Sequence, residues 1–499
     1  MEARLFLTFL TILLLMPAPA VGQPETGEII AYRTSVSRTT IFGYYNTHTK
    51  ANRRIMAGDF FPEYSLSSSG RLAYTVDANG DLDIYVLDTH ASDVPPINLS
   101  PHLGSDDRPL AWSLDGQILA LESIDATGNA SLVIWNGKNN VTIPLTEEVI
   151  TFQRIDADWS PNGRYLMIRA QVDADTELAY IWDGATIQPL LPFGIDDSVR
   201  LQNYRREWSP DSTQLSFIVS FPDGSNRLYV WDGSETIDIM PPLFARDSTV
   251  YNHLAWSQDG RLAFAVAKQA ETTQEYRGEI YIWDGYSSIN LSQQVDLHDS
   301  YPVWSMDGKI AFLSAEWVQG PDYSYLIPRI LVWDGTSYAG TLPDRNTFQV
   351  VGPDLSPTAL RWLEDGRLMF SATPPGQDSI QGLAWDGEQV ENLTSNPDFH
   401  NSLPRWSETG LWAFSTFFSR AALLYVRDRN NHTLLMTRSH NFTWLRGDDL
   451  MLCRTNLQGS GRPYWNLAHW DGNRITSIVD GGEISAVTSS GQQITCSSG

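Results

Sequence analysis

A five-residue pattern, Trp-Ser-x-Asp-Gly or a close variant, recurs along the chain at nearly constant spacing. The clearest copies begin at Trp112, Trp159, Trp208, Trp256 and Trp304, with spacings of 47, 49, 48 and 48 residues. Degenerate copies begin at Tyr64, Trp362, Trp406, Trp444 and Val487. Self-similarity with a period of about 20–50 residues is typical of repeat architectures, so the chain is predicted to fold as ten copies of one unit.

Each unit contains four short β-type segments separated by turn residues. In the unit around Trp256 the segments cover residues 253–256, 261–266, 279–283 and 288–291. Asp259-Gly260 separates the first two and Asp284-Gly285 the last two, and Asp-Gly supplies the positive φ that tight hairpins need. The second dipeptide belongs to a Trp-[Asp/Asn]-Gly motif, so 15 of the 18 tryptophans mark the repeat. Four strands per unit predict an all-β fold, a β-propeller of four-stranded blades.

The two ends of the chain predict closure of a ring. Residues 29–34, 40–45 and 53–56 match the second, third and fourth strands of a unit whose first strand is missing. Residues 484–496 supply a first strand and have room for a second. Joining the two ends would complete one blade and remove an exposed sheet edge. We expect one ring of roughly 8–10 blades, with ten favoured; a smaller ring with degenerate end units and two rings in tandem are the alternatives.

Three stretches of the repeat resemble a known family. Trp-Ser-Pro-Asn-Gly at Trp159, Trp-Ser-Pro-Asp at Trp208 and Asp-Ile-Tyr-Val-Leu-Asp at Asp83 are similar to the repeat of TolB-type, WD-like β-propellers. The resemblance extends over nearly all of the predicted mature chain. It implies a propeller and, for TolB-like proteins, a binding scaffold of the bacterial envelope, whereas related propellers accompany peptidases or serve as lyases. We expect no α/β domain ahead of the propeller, which is a departure from TolB.

The first residues predict secretion. Arg4 precedes an apolar run over residues 5–16, and Ala18-Pro19-Ala20 supplies small residues where a signal peptidase cleaves. The run is too short to span a bilayer. We therefore expect residues 1–22 to be a signal peptide, residues 23–499 to form the propeller, and the protein to be secreted or periplasmic without membrane insertion.

The charge of the chain limits its partners. It has 34 Lys and Arg against 59 Asp and Glu, a net charge of −25. Nucleic acid binding depends on local positive charge that releases counterions, so we expect no nucleic acid partner.

Connections after the second and fourth strands of each blade share one face of a propeller, and here they are the long and variable ones. Residues 316–329 follow a second strand, and we expect them to form a loop that presents Trp317, Tyr323 and Tyr325 to a ligand. The alternative is an insertion that packs locally. Connections that enter first strands approach the central channel and contribute the further candidates Arg205, Arg206, His298, Asp299 and His400.

Two patterns resemble metal sites. Asp77, Asn79, Asp81 and Asp83 alternate oxygen ligands as a calcium loop does, but Asn79-Gly80 is also typical of a tight turn, which is the interpretation we favour. His298 and His400 each lie six residues before their unit's tryptophan. We expect solvated loop histidines there rather than ligands. No metal and no cofactor are predicted.

The two cysteines, Cys453 and Cys496, lie nine residues after Trp444 and Val487, at equivalent positions of consecutive units. Equivalent side chains on stacked blades point the same way, whereas a disulfide needs Cβ atoms within about 4 Å. We therefore expect two buried thiols.

The predicted function is noncatalytic binding of protein or carbohydrate (glycan) ligands at the face with the variable connections. No Gly-x-Ser-x-Gly nucleophile elbow occurs, and the repeats occupy the chain. The alternative is a propeller-fold polysaccharide lyase or glycosidase with its active site at the channel mouth. Asp156 and Asp299 are acids for that alternative, which for glycoside hydrolysis requires carboxyl groups about 5–10 Å apart.

Overall fold

Ten antiparallel sheets follow one another along the chain and form a ring. The computed structural model describes residues 27–497 except for 37–38, 79, 92, 101–103, 146–150, 175, 192–199, 222–224, 242–247, 270–275, 294–296, 320–323, 343–348, 351–359, 419–420, 440 and 457–463. The described residues form strands, turns and bends and contain no helix. The predicted signal peptide lies outside them.

The strands of the first half of the chain are as follows. The chain starts with β1 (Ile29–Val36), β2 (Thr39–Asn46) and β3 (Asn52–Gly58), which belong to blade ten. Blade one is β4 (Tyr64–Leu66), β5 (Arg71–Ala78), β6 (Asp81–Asp88) and β7 (Ile97–Asn98), and blade two is β8 (Ser105–Trp112), β9 (Leu119–Asp125), β10 (Ala130–Trp135) and β11 (Asn140–Ile143). Blade three is β12 (Arg154–Trp159), β13 (Leu166–Gln171), β14 (Glu177–Trp182) and β15 (Ile187–Pro189). Blade four is β16 (Arg200–Trp208), β17 (Leu215–Ser220), β18 (Asn226–Trp231) and β19 (Thr236–Asp238).

The second half continues the pattern. Blade five is β20 (Ser248–Trp256), β21 (Leu262–Gln269), β22 (Tyr276–Trp283) and β23 (Ser288–Asn290), and blade six is β24 (Leu297–Trp304), β25 (Ile310–Gln319), β26 (Ser324–Trp333) and β27 (Tyr338–Leu342). Blade seven is β28 (Gln349–Val350), β29 (Leu360–Trp362), β30 (Leu368–Thr373), β31 (Gln381–Trp385) and β32 (Val390–Asn392). Blade eight is β33 (His400–Asn401), β34 (Arg405–Trp406), β35 (Trp412–Phe418), β36 (Ala421–Arg427) and β37 (Thr433–Arg438). Blade nine is β38 (Asn441–Trp444), β39 (Leu450–Asn456), β40 (Tyr464–Trp470) and β41 (Ile475–Gly481), and blade ten ends with β42 (Ile484–Thr488) and β43 (Gln493–Cys496).

The predicted all-β propeller of ten blades is confirmed. Neighbouring blades contact each other through their first strands, which places those strands innermost, around a central channel. In blades seven and eight the first strand is in two pieces that pair with the same second strand.

A lateral row of large side chains crosses each blade where the repeat motifs fall. In blade two, Trp112 pairs with Leu119 and Leu119 pairs with Trp135, so the three side chains lie side by side on adjacent strands. The indole rings of Trp112 and Trp135 meet nearly edge to face, with centroids 6.0 Å apart. The same edge-to-face geometry recurs between Trp256 and Trp283. Such pairs contribute about 0.5–1.5 kcal/mol beyond the area they bury.

The first tryptophan of the repeat also joins its blade to the preceding blade. Its indole N–H donates a hydrogen bond to a backbone carbonyl in the first strand of that blade. The observed pairs are Trp112 to Ser65, Trp159 to Ala111, Trp256 to Glu207, Trp304 to Ala255, Trp362 to Val303 and Trp444 to Arg405, at 2.8–3.3 Å. One residue type therefore supplies both packing within a blade and a polar link between blades.

Blade ten is built from both ends of the chain, as predicted. Its strand order is β3-β2-β1-β42-β43, and β1 pairs with β42 from Ile30 opposite Thr488 to Thr34 opposite Ile484. The N-terminal strand thus takes the second-strand place of the last blade. The C-terminal β43 consequently lies on the inner side of β42, beside blade nine.

The expectation of two free thiols is wrong, because a disulfide joins Cys453 to Cys496. Equal spacing from Trp444 and Val487 does not give equal positions, since β1 occupies the place that the second strand would take. Cys496 instead lies opposite Ile484 on the inner side of β42, with its Cα 5.4 Å from that of Cys453. A crosslink with a sequence separation of 43 residues lowers the entropy of the unfolded chain by an amount worth about 4 kcal/mol.

The link between blades can be tested with two tryptophans that differ in their hydrogen bonds. Replacing Trp304 by Phe leaves the carbonyl of Ala255 without its donor at 2.9 Å, and we expect the free energy of unfolding to fall by about 1–3 kcal/mol. The buried Trp231 serves as the control, because its indole N–H has no hydrogen-bond partner among the described residues. Trp231→Phe should cost less than Trp304→Phe in chemical denaturation, and equal losses would contradict a role for the indole hydrogen bond.

Candidate functional site

The tight turns and the variable connections lie on opposite faces of the ring. Turns after first and third strands carry the Ser-x-Asp-Gly and Trp-Asp-Gly motifs, and their polar side chains are used locally. Ser113, for example, donates to Asp115 and accepts from the amide of Ile118. Connections after second and fourth strands lie on the other face, called here the variable face. Many of their residues lie outside the described part of the chain.

The predicted loop of residues 316–329 is instead mostly strand. β25 and β26 are ten residues long, against six for the same strands of blade three, and they pair as far as Gln319 opposite Ser324. The β-branched and aromatic residues of this segment continue the hairpin, because such residues favour extended backbone. Trp317 and Tyr325 lie in these strands, and Tyr323 lies outside the described residues. The four additional residues lengthen the hairpin by about 13 Å.

The hairpin of the neighbouring blade five is also long. β21 and β22 are eight residues each and pair as far as Gln269 opposite Tyr276. Blade six thus has the longest described hairpin, and blade five beside it has strands as long as those of blade one.

Arginines and acids form ion pairs between the first strands of blades two to four. Arg108 pairs with Glu122 and, at 3.0 Å, with Asp156, which lies 3.3 Å from Arg169. The predicted candidate Arg206 pairs with Asp158 of blade three, whereas the side chain of Arg205 lies outside the described part of β16. Asp156, one of the acids of the enzymatic alternative, is thus bound by arginines.

His298 and Asp299 lie inside the ring wall rather than on its surface. His298 is buried and Asp299 is fully buried. Burial raises the pKa of Asp299 to about 6, the nearby hydroxyl groups of Ser314 and Ser292 and the charge of Arg329 oppose the shift, and the charge of Glu279 adds to it. The carboxyl therefore holds its proton to a higher pH than an exposed aspartate does.

The position of Asp299 recurs in other blades. Asp107 and Asn401 also lie five residues before their blade's tryptophan, and burial raises the pKa of Asp107 as well. Asn401 donates from its amide to Gln381, 3.0 Å away, where Asp299 faces Glu279. The neutral amide of Asn401 in blade eight thus has the same position as the carboxyl of Asp299 in blade six, which suits a protonated form. We interpret this position as a polar link between neighbouring blades.

His400 lies on the variable face, at the corner of blade eight. It pairs with Phe417 across β33 and β35, and its Nδ1 accepts the backbone N–H of Ile380 at 3.1 Å. This bond assigns the proton of neutral His400 to Nε2. The rings of Phe399 and Phe418 meet with centroids 4.3 Å apart, and Phe417 is 45% exposed. We call Phe399, His400, Phe417 and Phe418 the aromatic corner; the repeat pattern did not single out its phenylalanines.

The segment that resembles a calcium loop forms a hairpin turn between β5 and β6. Gly80 has φ of 97°, and its amide donates to Asp77. Asp81 accepts from the amide of Gly104, and Asp83 accepts from Asn98. The favoured turn is therefore present, although Asn79 lies outside the described residues.

Two properties of the described residues bear on the remaining predictions. They contain no group of three or more His, Cys, Asp or Glu side chains placed to hold a metal ion. Among them there is also no helix that is long and apolar enough to cross a membrane.

The sequence matches no family model and no curated protein. Among solved structures, the chain is similar to TolB from Acinetobacter baumannii, with 15% identity and a TM-score of 0.30 over 54% of this chain and 64% of that one. It is also similar to the propeller domain of the Trilobed protease from Pyrococcus furiosus (17%, TM-score 0.34, 66% and 98% covered) and to Porphyromonas gingivalis dipeptidyl peptidase 4 (12%, TM-score 0.43, 81% and 64% covered).

These similarities concern the fold. The chain is a β-propeller of the kind that the TolB-type repeat predicts, and the strand pairing establishes this directly. It spans less than two thirds of the length of the TolB protein named above.

The buried carboxyl of Asp299 makes stability depend on pH. Its pKa rises from an ordinary 3.8 to about 6 on folding, so the associated stability is complete below about pH 4 and is lost as the pH rises through 6. Asp299→Asn keeps a neutral group, as Asn401 does. We expect it to raise the free energy of unfolding at pH 7.5 by about 3 kcal/mol and to remove the decline between pH 4 and 7.

Asp334→Asn is the matched control for this measurement. Backbone N–H groups of Ser337 and Thr336 hold the pKa of the exposed Asp334 at about 2, so its contribution is present above about pH 4 and is lost as the pH falls toward 2. Asn136 occupies the same turn position in blade two. Asp334→Asn should lower the free energy of unfolding at pH 7.5. A similar loss in Asp299→Asn would contradict the raised pKa assigned to Asp299.

Proposed function

We propose that the protein is a secreted or periplasmic, noncatalytic propeller that binds protein or glycan ligands at the variable face. The signal-like sequence over residues 1–22 supports export. The disulfide between Cys453 and Cys496 is consistent with an oxidising compartment.

The aromatic corner carries the binding proposal. Phe417, which is 45% exposed, leaves apolar area in water, and it lies near the end of β35 opposite His400. Aromatic residues on a preorganised surface bind ligands at low entropic cost, since few rotamers are lost. His400 adds a hydrogen-bond donor at Nε2, because its Nδ1 is held by Ile380. Ring faces and a polar donor together fit sugars and peptide side chains.

The long hairpins of blades five and six support the same face. They extend the surface away from the ring, and they include Trp317 and Tyr325 of the predicted site. Surface segments held by a rigid scaffold are common binding elements. The opposite face offers less for a variable ligand, because its turns are closed by their own Ser and Asp side chains.

The proposal is tested with the full chain, labelled fluorescently, on a glycan array and a panel of purified envelope proteins. Phe417→Ala should weaken binding of the best ligand about tenfold, since an exposed ring at the centre of an interface typically contributes more than about 1 kcal/mol. Tyr286→Ala is the control, because Tyr286 is 96% exposed in a tight turn on the opposite face.

Equal binding by Phe417→Ala and the unmodified chain would remove the aromatic corner from the site. Weaker binding by Tyr286→Ala would move the site to the other face. The absence of binding to every probe would contradict the binding function itself.

A further inference from the structure

The residue before the first-strand tryptophan has the same place in blades two to nine, and we call these eight residues the channel row. They are Ala111, Asp158, Glu207, Ala255, Val303, Arg361, Arg405 and Thr443. Charges occur in two places only: acids in the adjacent blades three and four, and arginines in the adjacent blades seven and eight. The channel row is therefore acidic on one side of the channel and basic on the other.

The exposure of the two arginines indicates that they face the channel. Arg361 and Arg405 are exposed, whereas the residues immediately before them, Leu360 and Pro404, are buried between blades. Side chains alternate along a strand, so the two arginines share one side of their first strands. Because the tryptophans end the first strands, the pair lies near the channel mouth opposite the variable face.

One of the two acids of the channel row is engaged in an ion pair. Asp158 is already paired with Arg206. Among the described residues, no carboxylate forms an ion pair with Arg361 or Arg405. Partial loss of hydration and then the positive charge of Arg361 lower the pKa of the exposed Arg405 guanidinium. The two arginines occupy the same first-strand position in adjacent blades, and neither is balanced by a carboxylate ion pair among the described residues.

Contacts with the protein hold Arg405 in place. Its Nη1 donates to the backbone carbonyl of Phe442 at 2.9 Å, and its guanidinium carbon lies 5.1 Å from the centre of the Phe442 ring. A guanidinium fixed in this way loses little entropy when it binds an anion through its remaining N–H groups.

Arg361 lies where two cavities meet. It lines a channel pocket of about 450 Å³ together with Glu207, and a cleft between blades seven and eight of about 650 Å³. In that cleft Arg367 pairs with Asp365 and Glu391. Arg429, Glu364 and Glu408 also line the cleft; Arg429 donates to the carbonyl of Thr409, and Glu408 accepts the backbone N–H of Gly447. Space for a ligand remains beside Arg361.

We propose that Arg361 and Arg405 bind a doubly charged oxyanion, a phosphate group, at this channel mouth. Two adjacent positive charges are neutralised by a dianion, whereas a carboxylate carries a single charge. A phosphate ester has close to two negative charges at neutral pH and three acceptor oxygens, which suit paired guanidinium donors. Nonspecific anion binding is opposed by the net charge of −25.

Calorimetric titration of the full chain at low salt tests the proposal with three probes: inorganic phosphate, glucose 6-phosphate and glucose. Both phosphates should bind and glucose should not. Tighter binding of inorganic phosphate would identify a free-anion site, and tighter binding of glucose 6-phosphate a site for phosphorylated ligands. Acetate, a monoanion, should bind more weakly than either.

Arg361→Gln and Arg405→Gln should each weaken phosphate binding about tenfold to a hundredfold, as the loss of charged hydrogen bonds does. Arg164→Gln is the control, since Arg164 is an exposed arginine of a tight turn in blade three. If Arg405→Gln fails to fold, Arg405→Lys keeps the charge and should retain part of the affinity.

Unchanged affinity in Arg361→Gln would overturn the proposal, as would the absence of phosphate binding by the unmodified chain. A loss of affinity in Arg164→Gln equal to that in Arg361→Gln would also overturn it, because binding would then reflect overall charge. None of these outcomes depends on the aromatic corner. The phosphate site can therefore be refuted without affecting the proposal for the variable face, and the reverse is also true.

Discussion

Blades of this propeller are joined by a hydrogen bond from the indole of one blade to a first-strand carbonyl of the blade before it. A buried carbonyl without a partner would cost about 1–3 kcal/mol, so the repeat tryptophan satisfies a polar group while filling the space between sheets. The same residue begins the lateral row that ends, in most blades, at a second tryptophan. In each blade that carries it, the repeat tryptophan therefore determines both the packing inside the blade and the contact with the preceding blade. The loops after the second and fourth strands are free to vary in length and sequence.

Closure of the ring depends on a different device. In blade ten the second-strand place beside β42 is taken by β1, which comes from the N-terminal part of the chain. The displaced C-terminal strand turns inward and is fixed to blade nine by the disulfide between Cys453 and Cys496. Both chain ends are therefore held where a ring would otherwise open, because closure removes the exposed edges that sheets leave in water.

The sequence predicted the features that the repeat controls and missed those that depend on what packs beside it. The spacing of the tryptophans was sufficient to predict ten blades. The strand-like patterns of residues 29–34 and 484–496 were sufficient to predict that the two ends of the chain close the ring. The cysteine prediction failed because equivalence along the chain was equated with equivalence in space. Residues 316–329 were assigned to a loop because they exceed the usual length, although their composition continues two strands. The burial of Asp299 and the exposure of Phe417 depend on neighbouring blades, which spacing does not reveal.

The two faces of the ring have separate chemical characters. The turn face uses its polar side chains to close turns and, at the channel mouth, carries Arg361 and Arg405, which form no ion pair with an acid in the described part of the chain. The variable face carries the aromatic corner and the long hairpins. All of this rests on a closed ring, and hydrogen–deuterium exchange of the backbone amides in β1 and β42 tests that closure most directly. Protection equal to that of second strands in interior blades, such as β13 and β17, is the predicted result. Rapid exchange in β1 and β42, while the interior blades stay protected, would contradict the account, because it would mean an open chain of blades.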